Sequence, residues 1–325
     1  MKILVLLLAA LTAQLASSFE RPDLEPASAR RPAPERSAPA RSTPGGARGA
    51  LRVVLGLPET IEPTVRETLE TLLAGDARPH EIVALDALPP EGERRDAAGR
   101  TVALGAAACE RLADGTRPLL CALISAEAFA AIACDEACTE LRAIVMDQPL
   151  ERQVAVAGSV YPSLERFGVL SADPRPSRDD GDRAPFSLDF RRFEPVLPLP
   201  DQLNAVLAGS DALVAQPESA IFNRSTLHVV LLTAYGYAKP VIGFNRAYVR
   251  AGALISAYST PAQVLAEVLE PGTDDEIASL FGTSRTRAPA RFSIAENPSI
   301  ARSLGLVRRV EVDPARSYSD EDFSS

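Results

Sequence analysis

Four polar residues in a row, Asn223, Arg224, Ser225 and Thr226, stand directly before the apolar positions Leu227, Val230, Leu231 and Ala234. Asn or Ser at a helix start accepts hydrogen bonds from backbone N–H groups that the first turn leaves without partners. The same N–H groups, with the helix dipole behind them, bind carboxylates. Two chemistries are therefore open to Asn223, a cap and a ligand contact, and the local sequence does not choose between them. Arg224 has the fork geometry to pair with a carboxylate, although a solvated side chain is the plainer reading. Asn223-Arg224-Ser225 also fits the N-glycosylation pattern, a short motif with frequent false matches.

Other polar residues close apolar runs. Asp147 and Gln148 follow Leu141–Met146, and Asp147 either caps the helix that starts near Leu150 or accepts from a ligand amine. Pro149 suits a first helical position. Ser125 opens the stretch SAEAF, where a cap is the main expectation, and Ser171 ends the run Phe167–Ser171. Phe244 and Tyr258 offer rings to an apolar ligand part, with core packing the stronger expectation for Phe244. Catalytic sets are missing. The two histidines, His80 and His228, are isolated, so no Ser/His/Asp or Cys/His arrangement is available. No carboxylate pair suggests glycosidase chemistry, and neither a GxGxxG nor a P-loop pattern occurs. An enzyme is not expected, nor is a cofactor.

Four cysteines, Cys109, Cys121, Cys134 and Cys138, allow three full pairings. Cys134 and Cys138 are close enough to pair around one turn. Zinc is disfavoured, because both histidines lie far from the cysteines.

Composition narrows the class. The chain has 325 residues, 46% of them apolar, with a net charge of -9 and no Trp. No basic block stands apart from acidic neighbours, which argues against nucleic acid. The start, MKILVLLLAALTAQLASS, has one Lys, an apolar run too short to span a bilayer, and small residues up to Ser18. It reads as a cleavable secretory signal, residues 1–18, with an uncleaved anchor as the alternative, and implies periplasmic export. No later run is apolar for long enough to cross a membrane. Residues 19–50 are rich in Pro, Ala, Arg and Ser, cannot bury a core, and read as a disordered linker.

From Leu51 onward short apolar runs alternate with helical patterns. Leu51–Gly56, Glu81–Leu85, Thr101–Ala106, Pro118–Ser125 and Leu141–Met146 are strands of one sheet. Strands apolar on both faces imply a parallel sheet covered by helices. A second set begins near Arg166, with strands at Phe167–Ser171, Phe193–Leu197, Asp211–Ala215 and Pro240–Phe244, and a helix over Arg224–Tyr235. Residues 173–185 form a charged, Pro-rich loop, and the polar end, 313–325, reads as a disordered tail.

Three stretches carry a resemblance: LLCALISAEAF, IVMDQPLERQ and ERFGVLS look like successive pieces of substrate-binding proteins of ABC transporters, of the tryptophan/tyrosine type. The likeness strengthens over LPDQLNAVLAGSDALVAQPESAIFNRSTLHVVLLTAYGYAKPVIGFNRAYVRAGALISAYSTPAQ and ends at FSIAENPSIARSLGL, covering Pro118 to Leu306. It implies an α/β fold of two flavodoxin-like (Rossmann-like) lobes with parallel sheets, the type I periplasmic-binding-protein architecture. Ligands of open α/β sheets sit beyond the carboxyl ends of the strands. Three crossings between lobes are expected, near Pro162, Gly252 and Pro289. Residues 51–162 with about 252–288 would form the N-terminal lobe, and 163–251 with about 289–312 the C-terminal lobe. The resemblance moves Ser219, Phe222 and Asn223 toward the cleft, beside Ser125, Asp147, Gln148, Ser171, Phe244 and Tyr258. The implied function is capture of a small solute, with amino acids and related molecules as the first class, and its delivery to the membrane permease of an ABC transporter. The alternative is a degenerate binding fold serving as an adaptor in an envelope complex. One departure stands out: where the family carries a helix after the strand matching Phe167–Ser171, this chain has DPRPSRDDGDRAP.

Overall fold

The computed structural model describes residues 50–88, 100–113, 119–132, 141–172, 186–270, 279 and 281–323. The expected signal segment, the linker, Cys134, Cys138 and the loop 173–185 lie outside these residues.

The first sheet contains β1 (Leu51–Leu55), β2 (His80–Ala84), β3 (Arg100–Leu104), β4 (Leu119–Ile124), β5 (Leu141–Val145) and β11 (Thr286–Arg287). Its order is β11-β5-β4-β3-β1-β2, parallel throughout. Four of the five residues of β1 are buried, as a parallel strand with helices on both faces requires. One face is covered by α1 (Glu62–Leu73), through Val65, Leu69 and Leu73, and by α8 (Pro261–Val268), through Val264, Leu265 and Val268. The other face takes α2 (Ala106–Leu112) and α3 (Ala126–Ala130). Gly105 joins β3 to α2 at φ +92°, and a Cβ there would meet the Gly56 carbonyl oxygen, so the sharp turn needs glycine. A disulfide joins Cys109 on α2 to Cys121 on β4, with Cα atoms 5.7 Å apart.

The second sheet contains β6 (Arg166–Ser171), β7 (Ser187–Arg192), β8 (Ala212–Val214), β9 (Val241–Ile242), β10 (Ile255–Tyr258) and β12 (Ser293–Glu296), in the order β12-β10-β9-β8-β6-β7. All pairs are parallel except β10 with β12, an antiparallel edge. The strand expected over Phe193–Leu197 is instead β7, just upstream. Helix α4 (Leu150–Val160) buries Val154, Val156, Ala157 and Val160 on one face. The other face receives α5 (Leu199–Gly209), through Leu203, Val206 and Leu207, and α6 (Leu227–Gly236). Gly168 lets α5 approach β6 closely: a Cβ there would fall 2.3 Å from a Val206 methyl. Two further helices, α7 (Arg246–Ala251) and α9 (Pro298–Ser303), flank β10 and β12.

Two lobe crossings and the end of the chain differ from the sequence reading. The first crossing comes at residues 146–149, before α4 and not near Pro162, because the apolar stripe of α4 matches the second sheet. The second comes after β10, at residues 259–260, and not near Gly252, since β10 pairs with β9 and β12. The tail is folded as far as Phe323. Phe292 and Tyr318 exchange backbone hydrogen bonds of 3.0 and 2.7 Å, and Phe323 packs on both rings. Local polarity hid this segment, whose three anchoring residues are spread among charged ones.

Candidate functional site

A cavity of about 850 Å³ opens between the carboxyl ends of the two sheets. The first sheet contributes Ala126 and Glu127 beyond β4 and Asp147 beyond β5. The second contributes Val169, Ser171 and Ala172 from β6, Leu188 and Phe190 from β7, and Gln216–Ala220 beyond β8. The start of α4, Leu150 and Glu151, closes one side. The position follows from topology, because parallel strands deliver their loops and helix starts to one edge. The volume falls within the range of small-molecule sites.

Asp147 is half-buried, and its Oδ2 accepts from the Ala126 N–H at 2.6 Å. Burial pushes its carboxyl above the ordinary range, and the nearby Glu127 charge adds to this, while the Ala126 N–H pulls the other way. Ser125 caps α3 by accepting from the Ala128 N–H at 3.1 Å and does not line the cavity. Ser219, in the loop after β8, donates to Glu127 Oε1 and thereby joins the two lobes across the cleft. Glu218 accepts from the Ala172 N–H at 2.8 Å.

Of the nine residues expected to contact ligand, Asp147, Gln148, Ser171 and Ser219 line this cavity. Gln148 is nearly fully buried and its amide is already occupied. Its Nε2 donates to Ser259 Oγ at 3.1 Å, and its Oε1 accepts from Arg152 at 2.7 Å. Phe222 is a core residue, 4% exposed. Asn223 closes its own loop: Oδ1 accepts from the N–H groups of Ser225 (2.8 Å) and Thr226 (3.1 Å), while Nδ2 donates to the Ser219 carbonyl (2.9 Å). Asn223 thus closes a turn of the loop and is not on the cavity wall, while α6 begins only at Leu227, one turn later than the sequence pattern suggests, after Thr226 and with no side-chain cap bond. Phe244 packs on Tyr248 with ring centroids 4.9 Å apart, and Tyr258 ends β10; neither lines the cavity. His228 is exposed on α6.

Sequence reasoning missed Glu127, Glu151 and Glu218, because each sits in a stretch that reads as a cap, a helix turn or a loop. The available signal was position: all three follow strand ends on the cavity edge.

The crossings meet beside the cavity. Gln148 belongs to the first and Ser259 to the second, and the Ser259 hydroxyl donates to the Arg291 carbonyl of the third at 2.7 Å. Arg152 binds Gln148, the Pro289 carbonyl at 2.8 Å, and Asp320 through two bonds of 2.6 and 2.7 Å. Among the described residues no group of three or more His, Cys, Asp or Glu could hold a metal ion.

No family model matches the chain, and neither does any curated protein. Solved structures do. The ligand-free, open structure of a substrate-binding protein with adhesive properties from Clostridium difficile matches at TM-score 0.54 and 12% identity, over 81% of this chain and 96% of that one. The fold is that of a two-lobed type I periplasmic binding protein. An ABC domain from Streptococcus pneumonia in complex with L-Trp matches at TM-score 0.46 and 15% identity, over 80% of this chain and 96% of that one. A solute-binding protein of an ABC transporter from Agrobacterium vitis, bound to alpha-D-tagatopyranose, matches at TM-score 0.37 and 14% identity, over 78% and 98%. In a periplasmic-binding-protein fold the described cavity is the interlobe cleft, and the joined crossings lie where a hinge would bend. No helix among the described residues is long and apolar enough to cross a membrane.

Proposed function

We propose that this protein is an exported solute-binding protein that takes up a small molecule between its lobes and delivers it to the permease of an ABC transporter. The observation that carries the reading is the cavity of about 850 Å³ at the facing carboxyl ends of both sheets, lined from both lobes. Apolar side chains of Val169, Leu188 and Phe190 offer a surface for a ligand body, and the carboxylates around them offer acceptors. Hinge closure needs no chemistry, which suits a site without a catalytic set. Cleavage of the signal at Ser18 and a periplasmic location belong to the same reading, supported by the short apolar start. Tryptophan/tyrosine-type specificity rests on the sequence resemblance alone.

Thermal unfolding of the full chain against amino acids, sugars and diamines tests the proposal. A ligand that binds only the folded state raises Tm with concentration. A saturable rise with one chemical class is expected. No response to any class, with specific capture of an envelope protein, would turn the reading to an adaptor.

A further inference from the structure

The charge on the cavity wall restricts what the cavity takes. Four carboxylate residues line it: Glu127, Asp147, Glu151 and Glu218. Among the described residues, no Lys, Arg or His lines it. This is not for want of arginine, since Lys and Arg together number 34 in the chain. Elsewhere several carboxylates are paired with it: Asp76 with Arg78, Glu81 with Arg52, Asp211 with Arg166, Glu296 with Arg308.

The backbone donors that would bind an anion are largely taken by the chain itself. Asp147 and Ser125 occupy the Ala126 and Ala128 N–H groups at the start of α3. Glu218 takes the Ala172 N–H, and Asn223 takes those of Ser225 and Thr226. Helix α4 begins beside the cavity without a side-chain cap, and its dipole draws negative charge. Glu151 in its first turn already answers that dipole. A carboxylate ligand would meet repulsion from four acids and few open donors. A net-neutral zwitterion would leave most of the wall charge uncompensated. A cation gains from every one of these groups.

Resting on the solute-binding reading, we infer that the cleft selects a small organic cation, an ammonium or guanidinium group borne on an apolar body. The cationic head meets Glu127, Asp147 and Glu218, and the body lies along Val169, Leu188 and Phe190.

Calorimetric titration of the full chain with six probes decides the matter: agmatine, putrescine, L-arginine, L-tryptophan, D-ribose and succinate. At least one of the first three should bind at least about tenfold more tightly than all of the last three, a difference of about 1.4 kcal/mol. Raising the salt from about 50 to 500 mM should weaken that binding several-fold. Glu151→Gln isolates charge from structure, because the Glu151 side chain is exposed and makes no ion pair with a described residue. It should weaken the cation about two- to threefold and lower Tm by no more than about 1–2 °C, the scale of one charge lost from a helix's first turn. Binding of tryptophan, ribose or succinate with the cations silent would overturn the charge inference and leave solute binding standing. Silence from all six would overturn both.

Discussion

The two ends of the parallel strands treat their acids differently. At the amino ends, carboxylates are matched with arginine: Arg78 with Asp76 before β2, Arg52 with Glu81 at the starts of β1 and β2, Arg166 with Asp211 at the starts of β6 and β8. Glu296 ends the antiparallel β12 beside Ile255, so it too lies at the amino end of β10, and Arg308 meets it at 2.9 Å. At the carboxyl ends, Glu127, Asp147, Glu151 and Glu218 have no arginine or lysine partner among the described residues. One end is built for stability. The other keeps unbalanced charge around a space, and unbalanced charge costs stability unless something else gains from it.

Breaking the paired end should have the largest effect. Arg78 is buried, donates from Nε to Asp76 at 2.7 Å, and reaches the Leu269 carbonyl at 2.6 Å, tying the approach to β2 to the end of α8. Arg78→Ala should cost about 2 kcal/mol, the scale of hydrogen bonds to a charged group, measured by denaturant unfolding. A change within a few tenths of that method's error would mean that the paired end contributes no more than the open one.

Asn223→Ala comes next. It removes the amide whose hydrogen bonds close the loop before α6 and should cost about 1 kcal/mol. Solute affinity, by titration, should stay the same, because the amide is fully engaged within the loop. A large loss of affinity with unchanged stability would put Asn223 on the cleft wall after all.

Asp147→Asn has the smallest effect and the opposite sign. The folded carboxyl titrates above its unfolded value, chiefly through burial. Its contribution therefore favours folding at acid pH, below both values, and turns unfavourable as pH rises through the folded one. Asn keeps an oxygen for the Ala126 N–H and carries no charge. Tm of Asp147→Asn should be at or above that of the parent at neutral pH, with the gap closing toward about pH 4. A parent that gains stability over the variant as pH rises would show that Asp147 has a cationic partner.

The architecture was legible in the sequence because buried parallel strands are short apolar runs, such as LRVVL and LLCALI, and periodicity exposes them. The helix stripes Val65–Leu69–Leu73 and Val264–Leu265–Val268 were legible for the same reason. Site geometry was less so. Position beyond a strand end pointed to Asp147 and Ser171, and the family resemblance to Ser219. It could not separate Asn223, whose amide turns back into its own loop, from Glu218, five residues earlier and on the wall. That difference depends on which backbone donors the fold leaves within reach. Two of the three lobe crossings were misplaced because α4 and β10 are apolar enough to fit either sheet, and only pairing and packing decide between them; the third, near Pro289, lies between β11 and β12 as expected.

Arg152 carries a practical consequence for anyone preparing this protein. Its guanidinium is buried, lies 4.7 Å from the Phe292 ring centroid, and is held by a carboxylate from the last turn of the chain. A chain trimmed at residue 312 to remove a seemingly untidy end would lose Asp320 and the stacked rings of Tyr318 and Phe323 together. The guanidinium would then face the three crossings with its counter-charge gone. A fluorophore placed on this terminal turn, by contrast, would sit beside Arg152 and so beside the first and third crossings that Arg152 joins.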